Sequence, residues 1–281
     1  MNFVVVGYMG AYGSMGQWVA DVLRQIGHDV KAIDRNEKIP IERAIYFFVD
    51  CSEDYSVNMP AIPFPKVFWS MDAHMPGGLE RASNIARKCD LVLSSNYEHG
   101  VKLLATVGIK SVLMPITYRG DYFGNEIKTL DVAMVGNPNS QERLKLWSML
   151  GKYNGFAGKI DTLELYSHVM NNAKIVINQP TEPWDNILNN RFFEGIGCGA
   201  LLLQKRLKTN LIEKLGFENG VDFLYWNNLD ELPTIIDTVL ANYGIYKGIL
   251  QSGYDKVRNY EMKIQMQKIV GLILNKFYDR L

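Results

Sequence analysis

Short, wholly apolar runs recur along this chain, and a helix-length amphipathic stretch separates most of them. Few folds accept that pattern. A strand that reads as continuously apolar is buried on both faces, and parallel sheets covered by helices on each side are where such strands occur. The runs predict strands over 2–7, 29–33, 44–49, 67–70, 91–94 and 111–114, with helices over 16–26, 78–88 and 98–107. Trp18, Val19, Val22, Leu23 and Ile26 form one stripe of the first helix, and Gly27 ends it. Residues 115–128 break the pattern with a proline, two glycines, an aromatic cluster and charges, and read as a linker. The pattern then restarts. Strands are predicted over 131–135, 174–178, 200–204 and 222–226, and helices over 140–150, 163–172, 186–197, 208–215 and 229–242. From 246 to the end the chain reads as helical, without a strand.

Composition narrows the class. The chain has 281 residues, 47% of them apolar, a proportion that suits a folded globular protein. Thirty basic and thirty acidic side chains give zero formal net charge, which argues against nucleic-acid binding by bulk electrostatics. Cys51, Cys89 and Cys198 lie far apart with no metal-ligand spacing, so reduced thiols and no metal site are expected. The first residues read as a strand rather than a signal peptide, and no apolar run is long enough to span a bilayer. A cytoplasmic protein is the expectation.

In open α/β sheets, ligands bind beyond the carboxyl ends of the strands, so the loops there are examined first. The first of them, 7–16, carries Gly10, Gly13 and Gly16 between a strand and a helix. Glycine at such a turn lets the backbone approach a phosphate, whose charge the helix N–H groups meet. Asp34 ends the second strand, 21 residues past Gly13, where a dinucleotide fold places the acid that binds a ribose. Read alone, residues 2–34 open an NAD(P)-dependent dehydrogenase. The spacing departs from G-x-G-x-x-G, because two residues separate Gly7 from Gly10, and a tight strand–helix turn without any dinucleotide gives the same pattern.

A second constellation is richer. The strand ending in Asn178 is followed by a polar loop and then by Asn189-Asn190-Arg191-Phe192-Phe193-Glu194, Gly195, Gly197-Cys198-Gly199 and the apolar run 200–203. On a helix Asn190 and Glu194 share a face. Arg191 is a fork-shaped, permanently charged donor suited to a phosphate. Glu194 offers two oxygens, enough for both hydroxyls of a ribose. The three glycines keep the helix end thin so that the next strand packs close. The competing reading is a solvated helix face with an Arg–Glu surface pair.

This stretch resembles the donor site of the CgeB-like, or spore-maturation-type, glycosyltransferases of GT-B architecture. Their pattern is a strand ending in Asn, a variable loop, Asn-x-Arg-x-Phe-Glu, a small-residue turn with Cys-Gly and an apolar strand. Supporting resemblances are Asp131 to Asn137 with Arg143, Cys89 to Ser95, the loop Phe68 to His74, and Tyr225 to Leu232. The C-terminal His-Thr-Tyr-x-x-Arg stretch of that family is replaced here by Arg258-Asn259-Tyr260-Glu261. The first half is also shorter than in most relatives. The resemblance implies two Rossmann-like α/β domains facing a cleft, with the C-terminal helix crossing back to the first. It puts an acceptor-side domain at 1–122, a donor domain at 123–256 and the returning helix at 257–281.

By the same resemblance Glu194 would bind the ribose of a nucleotide-diphosphate sugar, and Asn190 and Arg191 its diphosphate or sugar. Asn137, Arg143 and Asn178 would complete the donor site. No cofactor beyond the donor is implied, and a UDP-sugar stands first among donors. The acceptor would be a hydroxyl of a glycan, a protein or a modified DNA base, the last as in phage-borne relatives. Asp72 and His74, in a strand-end loop before Pro76-Gly77-Gly78, are the groups able to take a proton from it. Two other readings remain at this point: the dehydrogenase on residues 7–34, and a nucleotide-sugar-binding protein without catalysis.

Overall fold

The structure is a computed structural model that describes residues 1–9, 14–49, 56, 59, 61–115, 117–180 and 187–280, apart from the side chains of Glu98 and Arg280. Gly10, Gly13, Cys51 and the loop 181–186 lie outside the described residues. The chain divides into two compact units, Met1–Ile116 with Met262–Leu281, and Thr117–Glu261.

The first unit is built on β1 (Asn2–Gly7), β2 (Asp29–Asp34), β3 (Ile45–Val49), β4 (Lys66–Ser70), β5 (Leu91–Ser94) and β6 (Val112–Leu113). They form one sheet in the order β2-β1-β3-β4-β5-β6, with every pair parallel. Phe3 to Val6 and Ile45 to Val49 are buried without alternation, as strands covered on both faces require. The helices are α1 (Met15–Gln25), α2 (Gly78–Ala86) and α3 (Leu103–Ala105). The expected helix over 98–107 is instead a turn of π-helix, Tyr97–Lys102, running into α3. Gly100 packs there so closely on Ser94 that an added Cβ would stand 1.9 Å from its Oγ. Gly27, at φ +88°, closes α1 as its position predicted.

The second unit contains β7 (Leu130–Val135), α4 (Gln141–Leu150), β8 (Gly155–Gly158), α5 (Leu163–Asn172), β9 (Ala173–Asn178), α6 (Asn190–Gly197), β10 (Leu201–Lys205), α7 (Leu211–Lys214), β11 (Leu224–Trp226), α8 (Leu232–Ala241) and α9 (Lys247–Val257). The sheet order is β11-β10-β9-β7-β8, again all parallel. Strand β8 escaped the sequence pattern because Gly-Phe-Ala-Gly is an edge strand with no apolar run. Helix α6 begins at Asn190 rather than 186, and α7 is shorter than the 208–215 expected. The fold class is the one expected: two parallel α/β units.

The last helix, α10 (Met262–Phe277), belongs to the first unit and packs on α1. Its buried stripe is Met262, Met266, Ile269, Val270, Ile273 and Phe277. The spacing of Tyr260, Ile264, Ile269, Leu272, Ile273 and Phe277 predicts a stripe there; Ile269, Ile273 and Phe277 are buried, Tyr260 and Ile264 are half-buried, and Leu272 is exposed. Among the described residues no helix is long and apolar enough to cross a membrane.

Aromatic rings wedge α6 in place. Phe192 meets Phe193, Phe217 and Phe223 edge-on at centroid distances of 5.3, 5.0 and 5.5 Å. Behind them α9 comes so close that a Cβ on Gly253 would stand 2.3 Å from the Asp222 carbonyl oxygen. Helix propensity alone favours Gly253→Ala by about 1 kcal/mol. Backbone cannot yield as a flexible side chain can, so Gly253→Ala is expected to lose about 1–3 kcal/mol net in urea unfolding.

Candidate functional site

In the second sheet the chain runs outward in both directions from β7 and β9, so the crevice at their carboxyl ends is the topological switch point. Arg143 spans it. The side chain rises from the first turn of α4, whose N-cap Ser140 accepts from the Arg143 N–H at 3.2 Å. Its guanidinium donates to the Asn137 carbonyl (2.8 Å) and Asn139 Oδ1 (3.1 Å) on the β7 side, and to the Gln179 carbonyl (2.6 Å) beyond β9. Arg143 is only 4% exposed. Burial, then the nearby charge of Arg191, holds its pKa down at about 10, so it keeps its proton at neutral pH.

Gly136 lies between the two arginines. A Cβ there would meet Arg143 Nη1 at 3.1 Å and Arg191 Cζ at 3.8 Å. Two guanidinium groups therefore converge on the end of β7. No ion pair of either one occurs among the described residues, and Glu142, next to Arg143 in sequence, is taken by Lys205 at 2.8 Å. Arg191 is half-buried at the start of α6, where backbone N–H groups add positive potential. Asn137 is exposed beside them.

Asn190 and Glu194 share a face of α6, as their spacing predicted, and Asn190 Nδ2 donates to Glu194 Oε1 at 2.6 Å. Glu194 is fully buried and its other oxygen accepts from the Tyr166 hydroxyl of α5. The solvated Arg–Glu pair is thereby ruled out. So is a Glu194 with two oxygens standing open, since both are occupied by protein donors. Asn178 is likewise engaged, donating to Asn189 Oδ1 at 2.9 Å and Gln204 Oε1 at 2.8 Å. The glycines after Glu194 act as expected. A Cβ on Gly195 would stand 2.9 Å from Leu202 Cδ1, one on Gly197 2.6 Å from Tyr118, and Gly199 adopts φ +70°.

The sequence matches the glycosyl transferase-like family (Glyco_trans_1_2) over residues 124–270, just over half the chain. The chain belongs to this family. No curated protein sequence matches it. Three solved structures show the fold. Sucrose-phosphate synthase from Thermosynechococcus elongatus superposes with a TM-score of 0.67 at 10% identity, over 99% of this chain and 100% of that one. Anabaena HepE in complex with UDP and glucose gives 0.70 at 11% identity, over 98% and 100%. An alpha-glucosyltransferase in complex with UDP-glucose and abasic DNA gives 0.67 at 10%, over 97% and 99%. The architecture of this family member is thus GT-B, and the dehydrogenase reading is not favoured.

Its glycine loop gives a physical reason for that misreading. A Cβ on Gly16 would meet the Tyr8 carbonyl oxygen at 2.9 Å and the Gly7 Cα at 3.3 Å, so glycine is needed for the helix to approach the strand. Asp34 accepts from the Met9 and Asn36 N–H groups, at 3.2 and 3.0 Å, which lowers its pKa and ties it to the loop backbone.

At the carboxyl edge of the first sheet, Asp72 and His74 are both half-buried in the turn after β4. The Met75 N–H donates to the Asp72 carbonyl at 3.0 Å. His74 lies edge-on to His99, 6.5 Å between ring centroids. Burial, then the His99 charge, pushes its pKa down to about 4, so the ring is neutral at pH 7 and a weak base. Tyr166, Gln179 and His99 were missed as site residues. Gln179 had a signal, being the first residue past a strand end. Tyr166 had only its place on a buried helix face.

Helix α6 carries an unusual carboxyl group beside this crevice. Burial raises the Glu194 pKa to about 7 against the opposing pull of Tyr166, Arg191 and Asn190. The folded state therefore binds its proton more tightly than the unfolded chain. The stability this provides is full below the unfolded value near 4.5 and is lost as pH rises towards about 7. Glu194→Gln is expected to abolish that slope, on the order of 3 kcal/mol between pH 4.5 and 7.5, in urea titrations across pH. Parallel curves for both proteins would place the proton elsewhere.

Proposed function

We propose that the protein transfers a hexosyl group from a UDP-sugar to a hydroxyl acceptor. The observation that carries this is the pair Arg143 and Arg191 at the switch point, two converging positive charges with no carboxylate in an ion pair with either among the described residues. A diphosphate supplies the missing negative charge, and its departure from the sugar is the step such a pair would assist. UDP as the nucleotide is supported by two structural neighbours, which were solved with UDP and glucose or with UDP-glucose. The CgeB-like pattern around α6 supports membership of that narrower group.

Within this reading Arg191 and Arg143 bind the diphosphate, and Asn137 lies at its edge. Asn190 would be oriented by Glu194, which is itself held by Tyr166. Each Glu194 oxygen could accept a second hydrogen bond, but direct binding of a ribose would require the fully buried carboxyl to be uncovered. Asp72 and His74 are the proton-acceptor candidates of the first unit; burial leaves His74 neutral and open to a proton, but with an affinity no greater than that of an ordinary carboxylate. The acceptor would be a glycan, a protein or a hydroxylated DNA base, of which zero net charge favours the first two.

A calorimetric panel of UDP, GDP, ADP and NADH tests the donor. UDP is expected to bind, and Arg191→Ala to weaken it about 10–150-fold, the worth of a charge-assisted hydrogen bond of about 1.5–3 kcal/mol. The melting temperature of the empty protein should hardly move, because Arg191 has no ion pair to lose. Binding of NADH alone, indifferent to Arg191→Ala, would overturn the reading.

A further inference from the structure

Four side-chain amides lie together at the carboxyl ends of β9 and β10, and three of them are paired. Asn178 bonds to Asn189 and Gln204, and Gln204 also donates to the Lys205 carbonyl at 2.8 Å. Gln179 is the exception. It is 2% exposed, yet neither Oε1 nor Nε2 has a hydrogen-bond partner among the described residues. Buried amides are normally satisfied, and one with both atoms unpaired destabilises the empty protein. Its own backbone carbonyl is fixed by Arg143 Nη2, so the carboxamide stays within one side-chain length of the guanidinium pair. The buried Arg143 Nε is unpaired as well.

We infer that Gln179 is a further donor-binding residue, whose carboxamide takes the junction of the β-phosphate and the sugar. Nε2 donates to a phosphate oxygen, and Oε1 accepts from a sugar hydroxyl. The chemistry selects this junction. A phosphate offers only acceptors, so it would leave Oε1 unpaired, whereas the adjoining sugar supplies the donor. A nucleobase edge offers both kinds of group, but a ribose separates it from the diphosphate that Arg143 would hold. The inference rests on the nucleotide-sugar reading above.

The test uses Gln179→Met, which keeps the volume and removes both polar atoms, and Gln179→Glu, which keeps the shape and adds a negative charge beside the arginines. UMP, UDP and UDP-glucose are titrated calorimetrically, and melting temperatures are recorded without ligand. Gln179→Met is expected to melt no lower than the wild type when empty. It should bind UDP-glucose about 10-fold more weakly, UDP less affected and UMP within about twofold. Gln179→Glu should weaken UDP more than Gln179→Met does, by pairing with the guanidinium groups. Equal losses for UMP and UDP-glucose would put the carboxamide on the nucleoside and overturn the inference. Unchanged affinities in both variants, with Arg191→Ala still impaired, would overturn it while sparing the donor site. A wild type that binds none of the three ligands would remove both.

Discussion

The second unit depends on one buried cation. Arg143 joins the end of β7, the start of α4 and the end of β9 through three oxygens, two of them backbone carbonyls. Carbonyl dipoles satisfy its N–H groups but do not cancel its charge. A buried charge with no ion-pair partner among the described residues is expensive, and the half-buried Arg191 adds its charge beside it. An apolar residue at 143 would avoid that cost and lose the bridge across the switch point. The arrangement makes sense for a protein whose counter-ion arrives with its ligand. Empty, the crevice is held open by neutral acceptors; filled by an anion, it would be electrically complete.

That demand shapes the surrounding chain. Both arginines need room at the end of β7, and residue 136 is glycine, where any Cβ would crowd Arg143. Helix α6 must present Arg191 while burying Glu194, so it sinks between β9, β10 and the aromatic wedge. Gly195 lets it rest against Val176 and Leu202, and Gly197 makes space for Tyr118. Burial in turn forces Glu194 to find donors, and Tyr166 and Asn190 are the ones within reach. The same sinking that positions one charge therefore neutralises the other by raising its pKa towards 7.

Much of this was legible in the sequence. The apolar runs located ten of the eleven strands, because a parallel strand buried on both faces has no polar residue to disguise it. Strand β8 failed that criterion, being an edge with two glycines. The spacing of Asn190 and Glu194 foretold their bond, since positions four apart on a helix meet. Burial was not foretold. A Glu four residues from an Asn looks the same on a solvated face as on a sunken one, and the difference lies in Phe192, Phe193 and Phe217, which are distant in sequence or read merely as core. Gln179 was marked only by its place just past a strand end, and its unpaired state was hidden for a related reason. A residue's unpaired amide is a property of every neighbour it lacks, and no local pattern records it.

The glycine loop at the start of the chain shows the opposite failure, a pattern too readily given a chemical meaning. Gly16 is required because a Cβ there would stand 2.9 Å from the Tyr8 carbonyl oxygen, Gly7 sits in tight contact with it, and the Asp34 carboxylate ties down the Asn36 and Met9 N–H groups. Each of these needs is mechanical. A dinucleotide site places the same residue types at the same spacing, because the same strand, turn and helix must first be built before a phosphate can approach. The motif therefore reports the turn and leaves the ligand open. In the second unit the order is reversed: the bridge that Arg143 makes needs donors but no net charge, and Arg191 makes no hydrogen bond or ion pair among the described residues that the fold would lose. A charge that the fold does not need is the stronger pointer to function, and on that criterion the proposed chemistry falls at the carboxyl ends of β7 and β9.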